Sequence, residues 1–169
     1  MEPKAIRSYI PHKRANRQYV ALSNKEAWKF LDSKNKIFVA FPMKNRYPHV
    51  SPVWFCVIEG KIYFRTYDYK VKTGLASSGK ACCTIDEGDS YKKLKGVIIW
   101  GKSSVVKDKS LIGRIDEVMD VRYKTQQWKE SEMPKSWVAD RKKERRAYVE
   151  IAPIKMSSWD NTKVESSFR

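Results

Sequence analysis

The stretch Val50 to Lys72, VSPVWFCVIEGKIYFRTYDYKVK, concentrates the side chains best suited to chemistry. Arg65, Thr66 and Lys70 lie close together where a strand-like segment runs into a helix-like one. Arginine can bind two phosphate oxygens at once, lysine supplies a point charge, and amides at a helix start complement both. Such a set suits a phosphate dianion, with the ring of a phosphate-bearing cofactor lying on the strand around Ser51, Pro52, Val53 and Trp54. The same charges also suit a solvated helix face, and from the residues alone both readings stay open.

Other reactive residues weigh less. His49 could touch a bound ring or act as an acid, but a lone strand histidine is more often a hydrogen-bonded structural residue. Trp54, Trp100 and Trp159 can stack on a planar ring, although an aromatic on an apolar strand is usually core. Cys56, Cys82 and Cys83 are odd in number, lack C-x-x-C spacing and have too few histidines nearby for structural zinc, so they read as reduced core residues.

Composition sets the bounds. The 169 residues suit one domain that can bury a core without disulfides or metals, and 41% hydrophobic content with six Trp is globular rather than disordered. A net charge of +16 attracts polyanions, acidic membranes and anionic small molecules. The basic residues are spread along the whole chain, which favours a solvated lysine-rich surface over a nucleic-acid interface. No apolar run approaches the roughly 20 residues of a membrane span, and the N-terminus lacks the apolar core of a signal peptide. A cytoplasmic protein is expected.

The elements that must position these residues follow in order. Residues 1–22 read as a surface arm, 23–160 as the folded domain and 161–169 as a loose tail. Ser23 and Glu26 form a capping box opening a short helix. Ile37 to Phe41, apolar throughout, reads as a strand covered on both faces. His49 to Ile58 and Lys61 to Thr66 form a hairpin about Glu59-Gly60, and Pro52, unable to donate to a ladder, should mark an opening in the sheet. A helix from Lys70 to Ser78, a strand from Lys80 to Asp86, and a strand from Leu94 to Val106 bearing Gly96 and Gly101 come next. Asp108 caps a long helix with a stripe of Leu111, Ile112, Ile115, Val118, Met119 and Arg122. After a polar segment at 124–145, Tyr148 to Pro153 is the last strand. Short hairpin-connected strands favour a mainly β, antiparallel barrel with flanking helices.

At Pro48 to Phe55, Ile62 to Thr66, Lys70 to Lys72, Val97 to Gly101 and Ile151 to Pro153 with Ser157 to Asp160, the sequence resembles the flavin-binding split-barrel family related to pyridoxamine 5'-phosphate oxidase. The resemblance implies a homodimer of six-stranded antiparallel split barrels holding flavin mononucleotide (FMN) in clefts between subunits. It implies that His49, Val50, Ser51, Pro52, Val53 and Trp54 run along the ring and ribityl chain, and that Arg65, Thr66, Lys70 and Lys72 meet the phosphate. Lys95 would approach from the partner chain, and Trp159 would close the pocket.

One departure matters. Pyridoxamine phosphate oxidases carry an Arg-Leu-x-Pro segment in the final strand, whereas this chain has Glu150, Ile151, Ala152 and Pro153 there, and a carboxylate would repel that substrate's phosphate. The expectation is therefore a flavin-dependent oxidoreductase acting on another small molecule, with NAD(P)H as donor. Its rivals are use of the deazaflavin F420 or of haem on the same fold, a polyanion or nucleic-acid binder, and a flavin-storage protein without turnover.

Overall fold

The computed structural model describes residues 7–8, 20–44, 47–126, 129–138 and 145–166. Helix α1 (Asn24–Asp32) opens with the expected capping box: Ser23 accepts from the Glu26 amide, and the Glu26 carboxylate accepts from the Ser23 amide. Strands β1 (Lys36–Pro42), β2 (Pro48–Ile58) and β3 (Lys61–Tyr67) follow, then helix α2 (Val71–Ala76) and strands β4 (Ala81–Glu87) and β5 (Lys95–Val105). Helix α3 (Lys109–Tyr123), strand β6 (Arg146–Asp160) and helix α4 (Lys163–Ser166) complete the order. Among the described residues, no helix is long and apolar enough to cross a membrane.

The strands pair in the order β6-β3-β2-β1-β4-β5, and β5 returns to β6, closing a six-stranded antiparallel barrel. Arg7–Ser8, from the expected arm, adds a short parallel pairing beside Lys155 and Met156 of β6. The barrel core is built from alternate residues of each strand, among them Ile37, Val39, Phe41, Phe55, Phe64, Ile99 and Ile151. Two helices join this core from opposite ends of β5. Lys95 at its start lies over the ring of Phe30 on α1, while the buried Ser103 hydroxyl donates to the Ala76 carbonyl at the end of α2. Those anchors are eight positions apart along the strand, roughly 26 Å.

Strand β1 corrects one expectation. Its burial alternates, with Ile37, Val39 and Phe41 inside and Phe38 39% exposed, so it is covered on one face only. The last strand is also longer than Tyr148 to Pro153. Pro153 does not end it because a bulge between Trp100 and Gly101 lets β6 pass, pairing Gly101 with Pro153 and Trp100 with Lys155. Gly96 admits the Trp159 ring, which a Cβ at that position would meet at 2.3 Å. Glu59 and Gly60 both take positive φ, the geometry of the two-residue turn expected there.

Where a loose tail is expected, Asn161 to Ser166 form a turn and α4. Asp160 accepts from the Thr162 amide and hydroxyl, and Lys163 donates to Glu26 and to the Ala21 carbonyl. Residues 167–169 lie outside the described residues. Lys163, together with the Ser23 amide, holds the Glu26 carboxyl at a pKa of about 2. A depressed carboxylate stabilises above its unfolded value, and that stability disappears as the pH falls toward its folded value. Because the pair is half exposed, the effect is modest, roughly 0.5–1 kcal/mol. Glu26→Gln should therefore lower the thermal midpoint by about 2 °C at pH 6 and match wild type near pH 2. Equal midpoints at both pH values would exclude the linkage.

Candidate functional site

The site begins where two strands part. The β2–β3 ladder runs from Ile58 paired with Lys61 to Phe55 paired with Phe64, and stops. Beyond that point Pro48 to Trp54 stay on β1, while Arg65, Thr66 and Tyr67 stay on β6. The sheet is split between the two segments. Tyr123 sets the phase of the open edge: its hydroxyl accepts from the Phe55 amide at 3.0 Å and lies 2.6 Å from the Phe55 carbonyl and 2.8 Å from that of Asn35, on the β1 side. By the antiparallel alternation, the backbone groups of Val50, Pro52 and Trp54 then point into the split. Pro52 sits where its missing N–H leaves no ladder bond unmade, which agrees with the opening expected there.

His49 and Ser51 lie on the same face of β2 as the buried Val53 and Phe55. His49 Nε2 and Ser51 Oγ are themselves buried and have no hydrogen-bond partner among the described residues. An orphaned buried polar atom costs about 1–3 kcal/mol, and here two lie on one short strand beside an open backbone edge, an arrangement that a polar ligand could satisfy. On the opposite face Val50 is 55% exposed, and Trp54 stacks on Tyr123 with ring centroids 4.7 Å apart and planes 2° apart.

The expected phosphate residues divide. Arg65 donates to Asp116 at 3.0 Å and Asp120 at 2.6 Å, both on α3, and its side chain is only 14% exposed. Burial alone would lower its pKa, and the two carboxylates more than reverse that. Thr66, the next residue, points to the other strand face and is buried. Adjacent strand residues cannot deliver both side chains to one face, and Arg65 belongs to the face that α3 covers.

Lys70 caps α2 and lies 4.4 Å over the Tyr69 ring, while Lys72 sits half-buried in the first turn. The Thr73 hydroxyl donates to the Tyr67 carbonyl and holds this turn against the end of β3. Burial, then the neighbouring Lys70 charge, pushes the Lys72 pKa down. Among the described residues neither lysine has a carboxylate partner.

Lys95 bonds Asp160 at 3.3 Å, and Trp159 packs over Gly96. Both are at the α1 end of the barrel, so within one chain they stand apart from Lys70 and Lys72. Glu150 accepts from Lys61 at 3.1 Å and from the Tyr63 hydroxyl at 2.8 Å, so its charge is already matched. Cys56 and Cys83 are buried thiols, but Cys82 is half-buried on the outer face and not core as expected. Tyr123, Asp116 and Asp120 were not expected in any site role; the four-residue spacing of Ile115, Met119 and Tyr123 was the available signal for the first.

Residues 23–158 match the family model described as pyridoxamine 5'-phosphate oxidase. No curated protein matches the sequence significantly. Among solved structures, a conserved hypothetical protein of Mycobacterium tuberculosis is 23% identical with a TM-score of 0.74, over 88% of this chain and 91% of that one. An FAD binding protein of Mycobacterium smegmatis is 18% identical with a TM-score of 0.60, over 83% and 95%. A flavocytochrome of Azotobacter vinelandii is 14% identical with a TM-score of 0.61, over 95% and 76%. At these identities the structural likeness is one of fold, the six-stranded split barrel. The family match spans the whole barrel and both strands that part, and on it the chain belongs to the pyridoxamine 5'-phosphate oxidase family.

Proposed function

We propose that this chain binds FMN in the split between β2 and β3 and serves as a flavin-dependent oxidoreductase for a small molecule, with a nicotinamide nucleotide as donor. The observation that carries the reading is the pair of orphaned buried atoms, His49 Nε2 and Ser51 Oγ, beside the open Val50 to Trp54 edge. The polar edge of an isoalloxazine ring offers acceptors and a donor, which the Val50 and Trp54 amides, the Pro52 carbonyl and the two orphaned atoms complement. Bound flavin would supply hydride and single-electron transfer, so no catalytic side chain is demanded. Lys70, Lys72 and the Thr66 hydroxyl would meet the phosphate, and Arg65 would brace that end through α3. The names of the mycobacterial FAD binding protein and of a FAD-binding protein of Mesorhizobium loti support a flavin on this fold.

A homodimer completes the reading. Phe38 pairs with Pro52 and Thr84, Ala40 with Val50 and Cys82, and Cys82 with Trp100, so the outer face of four neighbouring strands is largely apolar. A second copy laid there would bury it, and Lys95 and Trp159 would reach a cleft only from the partner.

The test is absorbance of the protein as isolated, followed by FMN titration with flavin fluorescence as the readout. The expected result is a flavin spectrum and saturable quenching, with His49→Ala and Ser51→Ala each weakening FMN about tenfold. A colourless protein that leaves FMN fluorescence unchanged overturns the reading. A deazaflavin or haem spectrum would transfer the site to F420 or to haem.

A further inference from the structure

Just past the split, the turn from β3 to α2 carries an aromatic cluster that shares Lys70 with the proposed flavin phosphate site and is otherwise unused by it. The rings of Tyr67 and Tyr69 stack with centroids 5.8 Å apart and planes 14° apart. Tyr69 is 57% exposed, and the Lys70 ammonium lies over its ring. Tyr67 stands opposite Arg146 in the β3–β6 ladder, so those two side chains share one face of the sheet. Arg145, 87% exposed, pairs with Asp68 at 2.8 Å. Asp116 lies 3.6 Å from Arg146 but is shared with Arg65, which it holds at 3.0 Å. Lys70 and Lys72 have no carboxylate partner among the described residues, so the cluster keeps an excess of positive charge.

A planar aromatic pair ringed by cations in excess matches a planar base joined to phosphates. Stacking holds the base, and cations hold its phosphate oxygens. An exposed cation–π contact is weak, so Lys70 can leave the Tyr69 ring for a phosphate. We infer that Tyr67, Tyr69, Lys70 and Arg146 form a recognition surface for an adenine nucleotide, with the purine on the tyrosine rings and the phosphates on Lys70 and Arg146. The inference goes beyond the flavin reading: the adenylate can be the second half of a dinucleotide flavin or part of a nicotinamide donor.

The experiment is calorimetric titration of the full chain with ADP, FMN, FAD and a single-stranded oligo(dA), on wild type, Tyr69→Ala and Tyr69→Phe. The expected result is saturable ADP binding that Tyr69→Ala weakens about tenfold and Tyr69→Phe keeps, with FMN affinity unchanged in both variants. Tyr69 is exposed, and circular dichroism of the two variants checks that the fold is intact. FAD binding about tenfold tighter than FMN, with the advantage lost in Tyr69→Ala, supports the dinucleotide flavin as the source. ADP binding with equal FAD and FMN affinities supports the donor. FMN binding without ADP binding and without an FAD advantage overturns the inference and leaves the flavin reading standing. ADP binding without flavin binding does the reverse. Oligo(dA) binding tighter than ADP and lost in Tyr69→Ala also overturns it, in favour of a nucleic-acid surface.

Discussion

Tyr123→Ala should lower the free energy of unfolding by about 3–5 kcal/mol, the largest single-residue effect expected in this chain. Three contributions add at this residue. Its ring is buried among Cys56, Ile58, Tyr63, Ile115, Met119 and Tyr148, where truncation leaves a cavity. The ring also supports Trp54 face to face. Its hydroxyl meets the Phe55 amide and the Phe55 and Asn35 carbonyls, groups that β1 does not reach because its ladder with β2 ends at Lys36 and Trp54. Tyr123→Phe isolates the last contribution, since it keeps ring and stack, and should cost about 1–3 kcal/mol. Urea unfolding of both variants checks this. A Tyr123→Phe stability equal to wild type would mean that water replaces the hydroxyl without loss.

That residue also marks the limit of what the chain reveals unaided. The capping box, the Glu59-Gly60 hairpin and the Asp108 cap are local, and each depends on residues a few positions apart. The barrel could be anticipated from strand lengths and turns, and the resemblance agreed with it. Three other features depend on distant contacts. Phe38 looks like core because its strand is apolar throughout, yet only one face of β1 meets the barrel interior. Pro153 looks like a strand end, and only the bulge opposite Trp100 shows otherwise. The period of two places His49 and Ser51 on one face in the sequence itself, but burial without partners depends on the point where β2 leaves β3.

Arg65 and Lys72 should behave as opposites, and this crossover is the sharpest expectation for the site. By type alone both are phosphate residues. Arg65, however, is committed to Asp116 and Asp120, and losing it strands two partly exposed carboxylates on α3. Arg65→Ala should therefore cost stability, about 1–2 kcal/mol after allowance for exposure. FMN affinity should stay within about twofold, because the guanidinium faces α3. Lys72 has no such partner among the described residues, and burial lowers its pKa. For a lysine with a lowered folded pKa, the unfolded state binds more protons across the interval between the folded value and the ordinary lysine value, so stability rises with pH in that interval. At neutral pH the buried charge is a cost, and Lys72→Ala should fold as well as wild type or slightly better. If its ammonium instead serves a phosphate dianion, the same substitution should weaken FMN about tenfold to a hundredfold, the span of a lost charge-assisted hydrogen bond. Urea unfolding and fluorescence titration of both variants check the pair. A large FMN loss in Arg65→Ala with none in Lys72→Ala would return the phosphate to the arginine, and would require the Arg65 side chain to leave α3 on binding.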